Sequence, residues 1–459
     1  MNRRGFLAGA VAVTGMAGAG LAVWPQPARA ADLILRPQPA RFKIGAAMTE
    51  NMRSLSPDAP PPVIWMTQGQ RFAADLQNAM TEETTVHWHG LRVPAKMDGV
   101  PYLAQDPVLA GQSFRYDFTP PDAGSYWYHP HCNTLDQMAR GLTGVIVVKE
   151  SVDPGFDADI AVNLRDFRLG SDDQFIEFFK ARSASRGGTL GTVVTANWQV
   201  GLRQNAPTGG VVRVRLVATD PARIYKIRLV GASAVILALD GQPLPGGPMP
   251  IGPDALVLAP GQRADLGVLM PGSEGAEVVI STEKPGGATD LVRLRTLGAN
   301  LGRAEADIPT LPSNPLSVPD LAKAEVLEFV FGWAPGDKPQ PSLCGSLGYS
   351  FWSINRASWP GDFPNPFNPL AELTYGKSYI LRLKNETEND HPIHLHGMVF
   401  QLLRSDKRPL LPLFTDTALL RSHETMDVAL VADNPGDWMF HCHVIEHQKT
   451  GLSGYLRVG

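Results

Sequence analysis

Val211-Val212-Arg213-Val214-Arg215-Leu216-Val217 alternates apolar and charged side chains from Val212 onward. That is the period of two at which successive side chains of a strand fall on opposite faces. Ser378-Tyr379-Ile380-Leu381-Arg382-Leu383 alternates in the same way, and both segments read as half-buried strands. From about residue 40 onward, Pro and Gly punctuate short runs rich in Val, Leu, Thr and aromatic residues, with 45 Gly and 40 Pro in 459 residues. Such a rhythm predicts an all-β chain of sandwich type. One stretch outside the N-terminus, residues 173–184, predicts an amphipathic helix.

A weak threefold repeat overlies this rhythm. Residues 72–80 lead to a histidine-bearing strand at 86–91, then to Leu109-Ala110-Gly111-Gln112-Ser113 and a closing strand that ends at Val148. Residues 379–386 lead likewise to 392–397, then to Arg421-Ser422-His423-Glu424-Thr425 and a strand that ends at Val458. Between them, residues 212–219 lead to 224–240 and to Leu258-Ala259-Pro260-Gly261-Gln262, with no histidine. Three copies of one sandwich, two carrying ligands and one without, is the simplest reading. The expected domains are 31–150, 151–310 and 311–459, the last break falling in the Pro-rich stretch 308–319. The length agrees, at about 150 residues per domain.

The N-terminus reads as an address. Arg3-Arg4-Gly5-Phe6-Leu7 is a twin-arginine pattern, a Gly/Ala-rich run follows, and Ala28-Arg29-Ala30 has the form of a cleavage site. Residues 1–30 are therefore expected to be a signal peptide handled by the twin-arginine export machinery. The mature protein is expected to be periplasmic or secreted, without a stable membrane anchor. A formal net charge of -4 and the lack of a basic run in the mature region give nucleic acid no electrostatic foothold.

Only eleven histidines occur, yet they form four His-x-His pairs: His87/His89, His129/His131, His394/His396 and His441/His443. Chance at this frequency gives roughly 0.3 such pairs. In a strand each pair presents two imidazoles to one side, so eight imidazoles from two domains can converge on several borderline-to-soft transition metal ions. The same alternation sends Cys442 to the opposite face from His441 and His443. With His391 and His447 it completes a two-histidine, one-cysteine set typical of blue-copper centres. Electrons entering at Cys442 would lie one residue from histidines of the other cluster. Zinc is the weaker alternative, because a closed zinc site needs four ligands and not ten histidines.

In these residues the sequence resembles the multicopper oxidase family, which includes laccases, bilirubin oxidases and bacterial cuprous oxidases. The resemblance spans nearly the whole mature chain and rests on HWHG with YWYHPH, and on HPIHLHG with HCHVIEHQKTGL. It implies three cupredoxin-like Greek-key domains and four copper ions. His391, Cys442 and His447 would hold the type 1 copper, and His87 and His394 the type 2 copper. His89, His129 and His443 would hold one type 3 copper, and His131, His396 and His441 the other. Dioxygen would be reduced to two waters with electrons from a small-molecule donor. Leu452 stands at the axial position in place of Met, which should raise the type 1 reduction potential. Gln448 replaces a Glu that serves proton delivery in some bacterial relatives. Asp98 matches a family carboxylate near the type 2 copper and is a candidate proton relay.

The absence of a Met-rich segment favours a laccase-like oxidase of phenolic or other aromatic donors over a cuprous oxidase for copper detoxification. The intact ligands disfavour a copper-free structural relative of the cell envelope. With Cys442 committed to copper, Cys132 and Cys344 are left in an oxidising compartment, and a disulfide between the first and third domains is expected.

Overall fold

In the computed structural model, which describes residues 33–459 apart from 253, 285, 337–340 and 365–367, one pairing scheme recurs three times. Strands Phe72–Gln77, Val211–Ala218 and Ser378–Asn385 each run parallel to an earlier strand: Leu33–Leu35, Ala158–Phe167 and Glu325–Trp333. Each also pairs antiparallel with a later one: Ser113–Phe118, Arg263–Leu269 and Thr425–Val431. In the facing sheets, Gly144–Lys149, Gly287–Leu297 and Ser453–Val458 run parallel to Ile64–Thr67, Leu202–Pro207 and Ala371–Leu373. Next come Gly124–His129, Glu277–Lys284 and Gly436–Cys442, then His87–His89, Tyr225–Val230 and His391–Leu395. The neighbours are not consecutive in the chain, so the connections cross between sheets in Greek-key fashion. The all-β expectation of three cupredoxin-like sandwiches is the architecture observed.

Each sandwich closes over its own apolar cluster. Leu76, Trp88, Tyr116 and Val148 anchor the first, Val162, Val214, Leu266 and Ile280 the second, and Leu381, Trp438, Phe440 and Leu456 the third. Among the described residues no helix is long and apolar enough to cross a membrane. The twin-arginine and cleavage motifs lie outside the described residues.

Two expectations are corrected. The strand around Val214 is not half-buried: both of its faces are covered, and Arg213 and Arg215 are each 1% exposed. The first sandwich lies over their side. Arg213 Nη1 meets Glu150 at 2.7 Å, its Nη2 meets Asp265 at 2.6 Å, and Arg215 Nη1 donates to Ser125 Oγ at 3.0 Å. Alternation identifies which residues share a face and says nothing of whether another domain covers it. Ser378–Asn385 keeps the half-buried pattern.

The second correction concerns residues 173–184, of which only Ala181–Ala184 is helical. A tight turn, in which the Gly170 amide donates to the Gln174 carbonyl at 2.8 Å, precedes that segment, and Asp173 has a φ of 58°. Phe175 and Phe178 are then held against the Arg140 guanidinium, so apolar spacing here reflects aromatic anchoring and not a helix face. Two short unpredicted helices, Thr134–Ala139 and Ile445–Lys449, follow the HPH and HCH motifs at corresponding points of the first and third sandwiches.

Candidate metal centres

Strand register brings the histidines together. His87 lies opposite His129 in the first sandwich, and His394 lies opposite His441 in the third, on corresponding strand pairs. His131 and His443 follow just beyond the ends of their strands. The two sets interleave: His87 stacks on His396 and His89 on His394, each with ring centroids 3.8 Å apart. Donor atoms within 4.8 Å of one another fall into the groups His89, His129, His443 and His131, His396, His441, while His87 and His394 group with His89. All eight imidazoles are buried.

Hydrogen bonds on the outer ring nitrogens set how each imidazole is turned. His87 Nδ1 donates to the Asp98 carbonyl and His394 Nδ1 to the Asp416 carbonyl, both at 2.8 Å. His129 Nδ1 and His441 Nδ1 donate to the carbonyls of Pro130 and Cys442 at 3.0 and 2.8 Å. His396 Nδ1 lies 2.8 Å from Asp98 Oδ2. Each of these rings directs Nε2 inward. His89 is reversed, with Nε2 at 3.2 Å from Asp416 Oδ1 and 3.3 Å from Thr417 Oγ1, and Nδ1 left for the interior.

His87 Nε2, His129 Nε2, His394 Nε2 and His89 Nδ1 are accordingly buried without a hydrogen-bond partner. Buried polar atoms are normally satisfied, and carbonyl or carboxylate support on the far nitrogen is the usual setting of a metal-ligating histidine. The donor set fits copper. Burial, reinforced by neighbouring imidazoles, holds His89, His131, His396 and His443 well below the ordinary imidazole range, so their lone pairs are free for a metal.

The second centre lies on the other side of the same strand. Cys442 Sγ stands 3.6 Å from His391 Nδ1 and 3.5 Å from His447 Nδ1, and these two nitrogens are 3.1 Å apart. The outward nitrogens are both engaged, His391 Nε2 with Thr387 Oγ1 at 2.9 Å and His447 Nε2 with the Arg186 carbonyl at 2.5 Å. Burial pushes the Cys442 thiol well up and His447 down to about 3. The copper-free site therefore holds a thiol and two neutral imidazoles. Leu452 is fully buried in the apolar cluster that contains Cys442, and its amide donates to the His447 carbonyl at 2.9 Å.

Every sequence-derived ligand candidate thus falls in one of two adjoining groups, joined through His441-Cys442-His443. Asp98 is buried, with Oδ1 3.2 Å from His87 Nδ1 in addition to the His396 contact. Gln448 Nε2 lies 3.4 Å from His131 Nε2, and its Oε1 is buried without a hydrogen-bond partner. His423 is exposed and is a member of neither group. The Cys132–Cys344 disulfide forms as expected, and Cys442 remains free. Sequence reasoning missed Asp416, Thr417 and Arg263. Arg263 donates to both Asp416 oxygens, at 2.8 and 2.6 Å. None lies in a histidine motif, and no local pattern in the sequence singles them out.

Family models described as multicopper oxidase match residues 40–153 and 345–459. The crystal structure of a multi-copper oxidase from Pseudomonas thermotolerans is 38% identical, covers 93% of this chain and 99% of that one, and superposes with a TM-score of 0.83. Multicopper oxidase MmcO of Mycobacterium tuberculosis is 28% identical over 98% of this chain and 91% of its own length. Laccase-5 of Trametes villosa is 27% identical over 86% of this chain and 83% of its own.

Proposed function

The chain belongs to the multicopper oxidase family, and from that premise we propose a laccase-like oxidase that removes single electrons from phenolic or related aromatic donors. As a member of that family it is a copper oxidoreductase that couples a small-molecule reductant to dioxygen. The observation that carries the two-centre reading is Cys442, whose thiol faces His391 and His447 while its chain neighbours His441 and His443 belong to the imidazole cluster. The choice of phenolic donors is supported by Leu452 and by the scattered mature methionines. Donor oxidation and dioxygen reduction are thereby separated in space and linked by one residue.

We assign His391, Cys442 and His447 to a type 1 copper, with Leu452 buried in the same apolar cluster as Cys442. His87 and His394 are assigned to a type 2 copper. His89, His129 and His443 go to one type 3 copper, and His131, His396 and His441 to its partner. Copper so held would supply one-electron redox chemistry at the cysteine and four-electron reduction of dioxygen at the cluster. The chain's own groups do the rest. Asp98 fixes the tautomers of His87 and His396, and its buried carboxylate can hold and pass a proton there. Asp416 orients His89 and His394. Leu452 offers no sulfur donor, which favours Cu(I) over Cu(II) and so suits donors that are hard to oxidise.

We further propose domains 31–150, 151–310 and 311–459, and twin-arginine export with removal of residues 1–30 to give a periplasmic or secreted enzyme. A specialised cuprous oxidase would need soft sulfur ligands to recruit Cu(I), and the mature methionines are scattered. The test is oxygen uptake by copper-loaded protein against phenols, aromatic amines, bilirubin and Cu(I), with Cys442→Ser beside the parent. The parent should be blue and oxidise phenols, and the variant should lose both properties together. A fully active Cys442→Ser would end the assignment.

A further inference from the structure

The imidazoles beside Cys442 are sealed from solvent. His391 and His447 are both fully buried, and their outward nitrogens are occupied by Thr387 Oγ1 and the Arg186 carbonyl. No imidazole edge is left for a donor in solution to touch, so electrons need another way in.

An aromatic path lies beside them. Trp352, fully buried, places its ring 4.5 Å from His447 and 5.1 Å from His391, and its Nε1–H donates to the Ala184 carbonyl at 3.0 Å. Its direct cross-strand partner is Trp333. The two indoles stack with centroids 4.4 Å apart and planes 19° apart, and Trp333 is 46% exposed. Directly opposed strand residues share a face at short separation, which is why two large rings meet here in parallel. Electron tunnelling decays steeply with distance, and contiguous π systems carry it across a given span better than gaps do. The sequence from exposed indole to buried indole to ligand imidazole has no gap.

We propose that Trp333 and Trp352 are the electron-entry bridge to the cysteine centre, and that they serve aromatic reductants too large to approach a buried imidazole. The donor ring docks by stacking on Trp333. One electron leaves it through the two indoles and is taken up at the copper that Cys442, His391 and His447 would hold, which passes from Cu(II) to Cu(I). The phenolic proton goes to solvent, and neither tryptophan is consumed. The inference rests on reading Cys442 as a copper ligand.

The test uses copper-loaded protein under anaerobic conditions, following the bleaching of its blue absorption by 2,6-dimethoxyphenol, free and tethered to dextran. Trp333→Leu should keep copper content, blue intensity and type 1 reduction potential, yet bleach roughly tenfold more slowly, most clearly with the tethered donor. Trp333→Phe, which keeps a ring in the stack, should recover most of the rate. Trp65→Leu, which removes a comparably exposed tryptophan in the first sandwich, should bleach at the parental rate. In copper-free protein, 1,2,3-trimethoxybenzene, which has no oxidisable hydroxyl, should quench fluorescence saturably in the parent and not in Trp333→Leu. Parental bleaching rates with both donors in Trp333→Leu, or undiminished quenching in that variant, would overturn the bridge. Failure of the copper reading has a different signature, a loaded parent without blue absorption, and the bridge falls with it.

Discussion

Arg263, on a strand of the sandwich that contributes no imidazole, donates two hydrogen bonds to Asp416 at 2.8 and 2.6 Å. Asp416 Oδ1 then stands 3.2 Å from His89 Nε2 and 3.4 Å from His394 Nδ1. The central sandwich thus orients one imidazole of the first sandwich and one of the third. It shapes the cluster while supplying none of its imidazoles.

Breaking this pair from the arginine side would strand a buried carboxylate, at a cost of about 3–5 kcal/mol, so Arg263→Ala is expected to fold poorly. Asp416→Asn is the gentler variant, since it keeps shape and the carbonyl that accepts from His394. Support of this kind typically changes metal affinity by about 10–100-fold. We expect Asp416→Asn to lose type 2 copper to a chelator faster, with a weakened type 2 EPR signal and an unchanged blue band. Parental copper retention together with an unaltered EPR signal would refute the role.

Copper-free protein should be unusually sensitive to mild acid. His447 is held near 3 by burial, and other ligand imidazoles are also depressed, against an ordinary value near 6.5. Between those limits the unfolded chain binds protons that the folded chain does not. Stability contributed by these groups is therefore complete above about 6.5 and declines as pH falls toward 3, by up to about 1.4 kcal/mol per pH unit for each imidazole. The urea midpoint of copper-free protein should fall steadily from pH 7 to pH 5, with proton uptake on unfolding. A flat midpoint over that range would contradict the depressed values.

The Cys132–Cys344 bridge joins residues 212 apart in sequence, and closing so long a loop stabilises by on the order of 5 kcal/mol in the chain-entropy model. It also fixes the backbone next to His131, where the Asn133 amide donates to the Cys344 carbonyl at 3.0 Å. Thiol titration of denatured, unreduced, copper-free protein should find one sulfhydryl, from Cys442. The double variant Cys132→Ala with Cys344→Ala should melt at a lower temperature and release copper more readily. Three free thiols in the parent would rule the bridge out.

The histidine clusters are legible in the sequence because the two members of each His-x-His pair are close together along the chain. A His-x-His pair declares a shared strand face locally, so spacing brings out eight imidazoles and, inside one pair, Cys442; His391 and His447 join it only through the two-histidine, one-cysteine pattern of a blue-copper centre. Asp416 and Arg263 are not legible, because 153 residues separate them and only the packing of two sandwiches brings them together. Trp333 and Trp352 meet through a strand pairing that no local pattern announces. The alternation around Arg213 identifies a strand and misjudges its burial, since the covering surface belongs to another domain. The predicted helix at 173–184 fails for a related reason: Phe175 and Phe178 are spaced for contact with Arg140, and not for a helical face.

Leu452 offers a test of the proposed substrate choice. Its side chain is buried in the same apolar cluster as Cys442, and the Cys442 amide donates to the Leu452 carbonyl at 3.0 Å, which ties the two residues together rigidly. Leu452→Met is close to volume-conserving and should cost less than about 1.5 kcal/mol of stability, so the protein should fold and load copper. A thioether at this position would stabilise Cu(II) relative to Cu(I) and lower the reduction potential. Less driving force then remains for extracting an electron from a phenol, while an easily oxidised donor loses little. The comparison is kcat/KM for 2,6-dimethoxyphenol and for Cu(I) on one copper-loaded sample, with the potential measured in parallel. We expect the variant to show a lower potential and a selectively lower phenol rate. An unchanged potential would refute tuning of the cysteine centre by Leu452, and strong Cu(I) turnover with negligible phenol oxidation in the parent would replace the laccase-like reading with a cuprous oxidase.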